Sequence, residues 1–146
     1  MRGAIHFQQA GDHDLEPIRQ LLQTCKLPVD DLERNQVVLF LAEHDGVIIA
    51  CAGLELYPPV ALLRSVAVRP AWQGHSVGRK MTQTALDSAR TQHIRTVYLL
   101  TTTAKRYFAR MGFQNVDREH VPKAIADTEE FQSICPSTAA VMKLEL

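Results

Sequence analysis

The stretch best suited to chemistry runs Ser65-Val66-Ala67-Val68-Arg69-Pro70-Ala71-Trp72-Gln73-Gly74-His75-Ser76-Val77-Gly78-Arg79. A strand-forming segment ends there, a short loop turns, and an amphipathic helix begins. Gly74 and Gly78 have no Cβ, so backbone N–H groups can converge and an anion can approach closely. The start of the helix adds unsatisfied N–H groups and the positive end of its dipole. Such a loop is a cradle for a pyrophosphate. It lacks the Lys-Ser/Thr ending of a nucleoside-triphosphate loop and the glycine spacing of a dinucleotide fold. The competing reading is an ordinary glycine-containing turn. Charge favours the cradle: Arg64 to Arg110 holds nine basic residues against one acidic, Asp87. A solvated helical face with acidic partners elsewhere would give the same excess.

Two further residues stand out by type. Glu55 lies in an otherwise apolar strand, where a carboxylate needs a reason to be present. Burial would raise its pKa toward the range useful for taking a proton from an ammonium group through water. The alternatives are a wet strand face or a simple ion pair with Arg64. Arg64 itself is suited to binding a substrate carboxylate in a bidentate fork, with the same ion pair as its alternative. Cys25, Cys51 and Cys135 lack metal-ligand spacing, as do the six histidines. Cys135 reads as a buried structural thiol and Trp72 as a loop anchor.

The elements that must position these residues follow from periodicity. Ala4 to Gln8 suits a first strand. Asp12 or Asp14 can cap a helix whose Leu15, Ile18, Leu21, Leu22 and Cys25 share a face, with Pro17 tolerated in its first turn. Asp30 to Arg34 suits a short second turn. Val37–Glu43 and Val47–Tyr57 are strand formers around His44-Asp45-Gly46, a hairpin signal. Ala61–Val68 is a third strand, ended by Arg69-Pro70. The three form an antiparallel meander. Val77, Met81, Ala85 and Ala89 then recur every four residues, predicting a helix from about Ser76 to His93, with Ser76 as its N-cap. Val97–Thr101 is a short strand. Ala104, Tyr107, Phe108 and Met111 form a helix face that Gly112 can close. A strand from Phe113 to Val116, a surface helix within Val121–Gln132 and a last strand around Met142, Leu144 and Leu146 complete the chain.

The 146 residues suit one domain over 1–146, because half that length makes a poor core. Apolar residues at 46% and charged residues at 22% exclude a disordered chain. Sixteen basic residues balance sixteen acidic ones, so overall charge does not point to nucleic acid. No apolar run approaches the roughly 18 residues of a membrane span, and the start lacks a secretion signal. Unpatterned cysteines suit a reduced, cytoplasmic protein.

Gln73-Gly74-His75-Ser76-Val77-Gly78 resembles the Arg/Gln-x-x-Gly-x-Gly/Ala signature of the GNAT superfamily of acetyl-CoA-dependent N-acetyltransferases, with Ser76 in place of the middle glycine. The element order matches, and Tyr107-Phe108-Ala109-Arg110-Met111-Gly112-Phe113 looks like that family's late helix-to-strand junction. The resemblance implies an α/β (α+β) fold, with a mixed, mostly antiparallel central sheet and helices on both faces. It implies that the backbone of Val66, Ala67 and Val68 lies along the pantetheine arm of acetyl-CoA and polarises the thioester carbonyl. The amides of Gly74, His75, Ser76, Val77, Gly78 and Arg79 would hold the pyrophosphate, with side-chain contacts from Arg69, Gln73 and Arg79. Many members place a Tyr four residues before the Gly-Phe junction, as acid for the departing sulfur. Phe108 stands there, and Tyr107 is about 100° away around a helix. Thr101, Thr102 or water can serve instead, although Thr101–Thr103 reads equally as a strand end and cap.

Leu99-Leu100-Thr101-Thr102-Thr103, Tyr107-Phe108 and Gly112-Phe113 further resemble the acetyltransferase domain of N-acetylglutamate synthases. With Gly53–Tyr57, Leu63–Val68 and Phe131–Pro136 they look like short arsenic-resistance N-acetyltransferase-like proteins. Both resemblances imply a small, amino-acid-like amine acceptor. They leave open a protein or peptide acceptor, and a non-catalytic acyl-CoA sensor. The family also carries an expectation of homodimers.

Overall fold

A computed structural model describes residues 4–27, 29, 37–128, 131–132 and 139–146. Asp45 and Gly46 both take left-handed backbone, φ 50° and 79°. That is the geometry of the two-residue turn whose twist matches its flanking strands. It joins β2 (Val37–His44) to β3 (Val47–Tyr57), and residues 58–59 turn β3 into β4 (Val60–Val68). With β1 (His6–Gln9) these form an antiparallel meander, as the alternation predicts. β5 (Thr96–Thr101) then joins β4 in parallel, and β7 (Ala140–Glu145) and β6 (Gln114–Asn115) extend the far edge. The order is β1-β2-β3-β4-β5-β7-β6.

Strand alternation sends side chains to two faces. Ala50, Ala52 and Leu54 of β3, with Ala61 and Leu63 of β4, meet α2 (Val77–Thr91) through Val77, Met81, Ala85 and Ala89. All four of these period-four residues are buried. Phe108 of α3 (Lys105–Arg110) packs on the same face. Cys51 and Ala67 turn the other way, to Ile18, Leu21 and Leu22 of α1 (Leu15–Thr24). Leu62 and Tyr98 meet Ile125 of the four-residue helix α4 (Lys123–Ala126) on that second face.

One register break matters for everything later. Cys51 pairs with Ala67, and Gly53 with Arg64, so two residues of β4 stand opposite Ala52. This is a β-bulge at Ser65 and Val66, with Ser65 left-handed at φ 58°. The extra residue flips the parity of the strand. Ala61 and Leu63 face α2 before the bulge; Val66 and Val68 do so after it.

Some local expectations are corrected. Ser76 precedes α2 but does not cap it: its backbone is left-handed (φ 63°, ψ 13°) and its hydroxyl makes no capping bond. An N-cap needs extended backbone to aim its oxygen at the first turn. Asp14 precedes α1, yet its carboxylate reaches back to accept the Gly11 N–H at 2.9 Å. The helix expected within Val121–Gln132, opening at Pro122, is present as α4 with Pro122 at its N-cap. Beyond it the Thr128 hydroxyl donates to the Ile125 carbonyl and accepts the Phe131 N–H. Asp30–Arg34 and Cys135 lie outside the described residues.

Leu22 is fully buried between α1 and the sheet. Leu22→Ala should cost about 2–5 kcal/mol, read as a lower urea midpoint at unchanged m-value. Burial pushes the Cys51 thiol up to about 12, with Cys25 adding to the rise. The folded state therefore holds the proton more tightly than the unfolded chain. Stability from this group is complete below pH 9 and is lost as pH rises from 9 to about 12. Cys51→Ala should flatten that alkaline decline in unfolding measurements, and native Cys51 should resist alkylation at pH 8.

Candidate active site

The parallel ladder between β4 and β5 is short. Val60, Ala61 and Leu62 pair with Thr96, Val97 and Tyr98, and there the pairing stops. Both strands continue, β4 for six residues to Val68 and β5 to Thr101. They flank a cleft of about 950 Å³ whose walls include Leu63 to Val68 and Leu99 to Thr103. Backbone groups that would have bonded across the sheet are left facing this space.

The orientation of those groups follows from the bulge. The Arg69 N–H donates to the Ile49 carbonyl at 2.8 Å, and Ala67 pairs with Cys51. Alternation then turns Val66 and Val68 away from β3, toward the cleft. Consistently, the Val68 carbonyl accepts a hydrogen bond from Gln73 Nε2 at 3.1 Å, outside the sheet.

The cleft runs on into the loop before α2. The earliest backbone bond at the start of this helix is Lys80 N–H to the Ser76 carbonyl at 3.2 Å. The amides of Val77, Gly78 and Arg79 precede it and are the orphan donors of a helix start. Gly74 is left-handed at φ 83°, and a Cβ there would meet nothing within 4 Å. Open space, left-handed glycine and converging donors together fit a pyrophosphate. Gly74, Ser76, Val77, Gly78 and Arg79 line the cleft, together with Gln73.

Side chains of the loop mostly brace it. Gln73 ties back to Val68, and its amide donates to the Pro70 carbonyl at 3.3 Å. Arg69 Nε donates to the Ile48 carbonyl at 2.7 Å, anchoring the loop to the β2–β3 hairpin. His75 Nδ1 lies within 3.2 Å of the Trp72 and Gln73 carbonyls. Trp72 packs on the His44 ring with centroids 4.7 Å apart, in keeping with a loop anchor.

Glu55 and Arg64 are brought together, with 3.8 Å between Oε2 and Nη1 and side-chain exposures of 5% and 0%. Arg64 Nε donates to Ser65 Oγ at 3.1 Å, and Tyr57 Oη donates to Glu55 Oε1 at 3.3 Å. Gly53 stands opposite Arg64, and a Cβ there would press on Leu39 Cδ2 at 3.2 Å. The pair holds β3 to β4 beside the bulge, and among the described residues Glu55 is not on the cleft wall. Thr101 is on that wall, where its hydroxyl accepts the Ala104 N–H at 2.9 Å.

The walls also hold residues that the sequence did not place there, among them Lys26, Arg110 and Tyr107. Arg110 belongs to the basic excess, which was its only signal. Lys26 comes from a left-handed position (φ 60°) just after α1, and nothing in its neighbours marks it. Among the described residues, no helix is long and apolar enough to cross a membrane.

A family model described as the acetyltransferase (GNAT) family matches residues 7–113. An amino-acid acetyltransferase of Mannheimia succiniciproducens is 31% identical over 120 residues, covering 81% of this chain and 27% of that protein. One from Mycobacterium tuberculosis is 30% identical over 131 residues, covering 82% and 74%. This chain therefore spans about a quarter of the first relative and about three quarters of the second. Among solved structures, N-acetylglutamate synthase from Neisseria gonorrhoeae, complexed with coenzyme A and N-acetyl-glutamate, superposes with a TM-score of 0.84 at 21% identity. That match covers 100% of this chain and 36% of the other. A Mycobacterium tuberculosis protein in complex with CoA gives 0.80 at 26% identity, covering 97% and 99%. With the element order, the opened β4–β5 pair and the amide-lined loop, these matches establish that the chain belongs to the GNAT acetyltransferase family.

Proposed function

We propose that this protein binds acetyl-CoA in the cleft between β4 and β5 and transfers its acetyl group to the primary amine of a small, amino-acid-like acceptor. The observation that carries the proposal is the continuity of donors, from the cleft-facing amides of Val66 and Val68 to the loop amides before Lys80. Relatives named amino-acid acetyltransferase, and structural neighbours solved with coenzyme A, support the cofactor and the acceptor class.

Acetyl-CoA supplies an activated acyl group as a thioester. In this proposal the amides of Gly74 to Arg79 neutralise the diphosphate, as a helix start is suited to do. The Val66–Val68 backbone aligns the pantetheine arm and directs an N–H at the thioester carbonyl, where charge develops as an amine attacks. Holding acyl group and amine in one narrow cleft supplies much of the rate. Glu55 supports Arg64 and the bulge, and the ammonium proton leaves through water. Thr101, on the cleft wall, is the hydroxyl assigned to the sulfur end: its oxygen accepts from Ala104, which leaves its proton to be donated.

Two measurements test this. Gly74→Glu adds a carboxylate where the phosphates bind, in space that nothing else occupies. The left-handed φ costs about 1–2 kcal/mol. Acetyl-CoA binding by calorimetry should disappear while the circular dichroism spectrum persists; unchanged affinity would remove the phosphate site. Glu55→Gln should lower stability by about 1–3 kcal/mol, because it removes the charge from one side of the buried contact with Arg64. Acceptor-dependent thiol release should keep its pH–rate profile in that variant, whereas loss of the acid limb would return Glu55 to the proton path. An amine panel, including amino acids and their phosphinic and organoarsenical analogues, identifies the acceptor. Tight acetyl-CoA binding without thiol release from any amine would favour the sensor.

A further inference from the structure

Tyr107 is a cleft residue that takes no part in the proposed transfer. An ideal Cβ on Gly78 would stand 2.7 Å from Tyr107 Oη and 3.2 Å from Val68 Cγ2. Cα–Cβ bonds in a helix tilt toward its N-terminus. The hydroxyl therefore lies against Gly78 in the first turn of α2, and both residues line the cleft. We propose that the Tyr107 hydroxyl donates a hydrogen bond to the diphosphate of the acyl carrier, an inference that rests on the acetyl-CoA reading.

Position along β4 separates this role from acid catalysis. Val68 is the strand's loop end, and the bulge at Ser65 lies three residues back toward the reacting end. At about 3.3 Å per residue, less the shortening of a bulge, that is roughly 7–10 Å. A hydroxyl beside Val68 and Gly78 is thus at the phosphate end. The ring is held there by an edge contact with Phe108, centroids 5.2 Å apart, and Phe108 leans in turn on Phe113 at 5.7 Å. Burial raises the phenol's pKa, with Arg79 pulling the other way, so the group stays a protonated donor at neutral pH. Gly78 gains a second explanation: any side chain there would collide with the hydroxyl.

The test is Tyr107→Phe, which keeps the ring. Acetyl-CoA and acetyl-3′-dephospho-CoA are titrated by calorimetry and acetyl-pantetheine by NMR, against wild type. A hydrogen bond to a charged oxygen predicts about tenfold weaker binding of both nucleotide carriers. The preference for acetyl-CoA over acetyl-pantetheine should fall by the same factor. Gly78→Ala, which displaces the hydroxyl, should weaken acetyl-CoA binding in the wild type and add little to Tyr107→Phe. Several results would overturn the inference: an unchanged carrier preference, equal loss for acetyl-pantetheine, loss confined to the carrier with the 3′-phosphate, or additive effects of the two variants. Wild-type protein that fails to bind acetyl-CoA would instead overturn the reading beneath it.

Discussion

A parallel strand pair that stops after three residues is the constraint on which the rest depends. Val60 to Leu62 pair with Thr96 to Tyr98, and the strands then part. Backbone N–H and C=O groups in a sheet interior need partners, and an unmade bond there costs about 1–3 kcal/mol. Leaving several unmade inside a fold is unfavourable unless water or a ligand completes them. A carrier with amides along its arm can do so, much as an added strand would. The opened pair is therefore a ligand-shaped absence in the hydrogen-bond ladder.

The bulge at Ser65 works on the same strand. Without it, β4 would keep one parity from Val60 to Val68, and Val66 and Val68 would turn their side chains to α1. With it, they pack toward α2, while their N–H groups point into the cleft. One left-handed serine thus sets both the packing and the donor array. The buried Arg64–Glu55 pair sits at this break, and its hydrogen bond to Ser65 Oγ braces the kink. A charge pair held at 0% and 5% exposure is costly to desolvate. Its place beside the break fits a specifying role better than a gain in stability.

Much of this was legible in the sequence because it rests on periodicity and turn chemistry. The Asp45-Gly46 turn, the three-strand meander and the four-residue spacing of Val77 to Ala89 each carry one physical signature, and all appear in the fold. Features that failed to show depend on tertiary choice. Ser76 has the composition of an N-cap, but the chain enters α2 with left-handed backbone at Gly74 and Ser76. Nothing local marks Ser65 as a bulge, since serine has no preference for positive φ. Glu55 and Arg64 were singled out as chemical groups, and their meeting across β3 and β4 was visible only as one alternative. Register decides it, and a single bulge resets register.

Under the proposed reading, backbone donors make the carrier site tolerant of side-chain change, which bears on how such a cleft would acquire its substrates. Amides of Val66, Val68, Val77, Gly78 and Arg79 need a chain path, not particular side chains. Where side chains do matter, as at Gly74 and Gly78, the demand is for little or no side chain. On the same walls, Lys26 follows the end of α1 and Arg110 belongs to the short helix α3, outside the paired strands. Those are surfaces whose replacement leaves the ladder and the bulge intact. If the proposed transfer holds, recognition of the acceptor can therefore change independently of the backbone that would hold the acyl group. The conserved demand of the physics is on main-chain path, and the variable demand is on the rim.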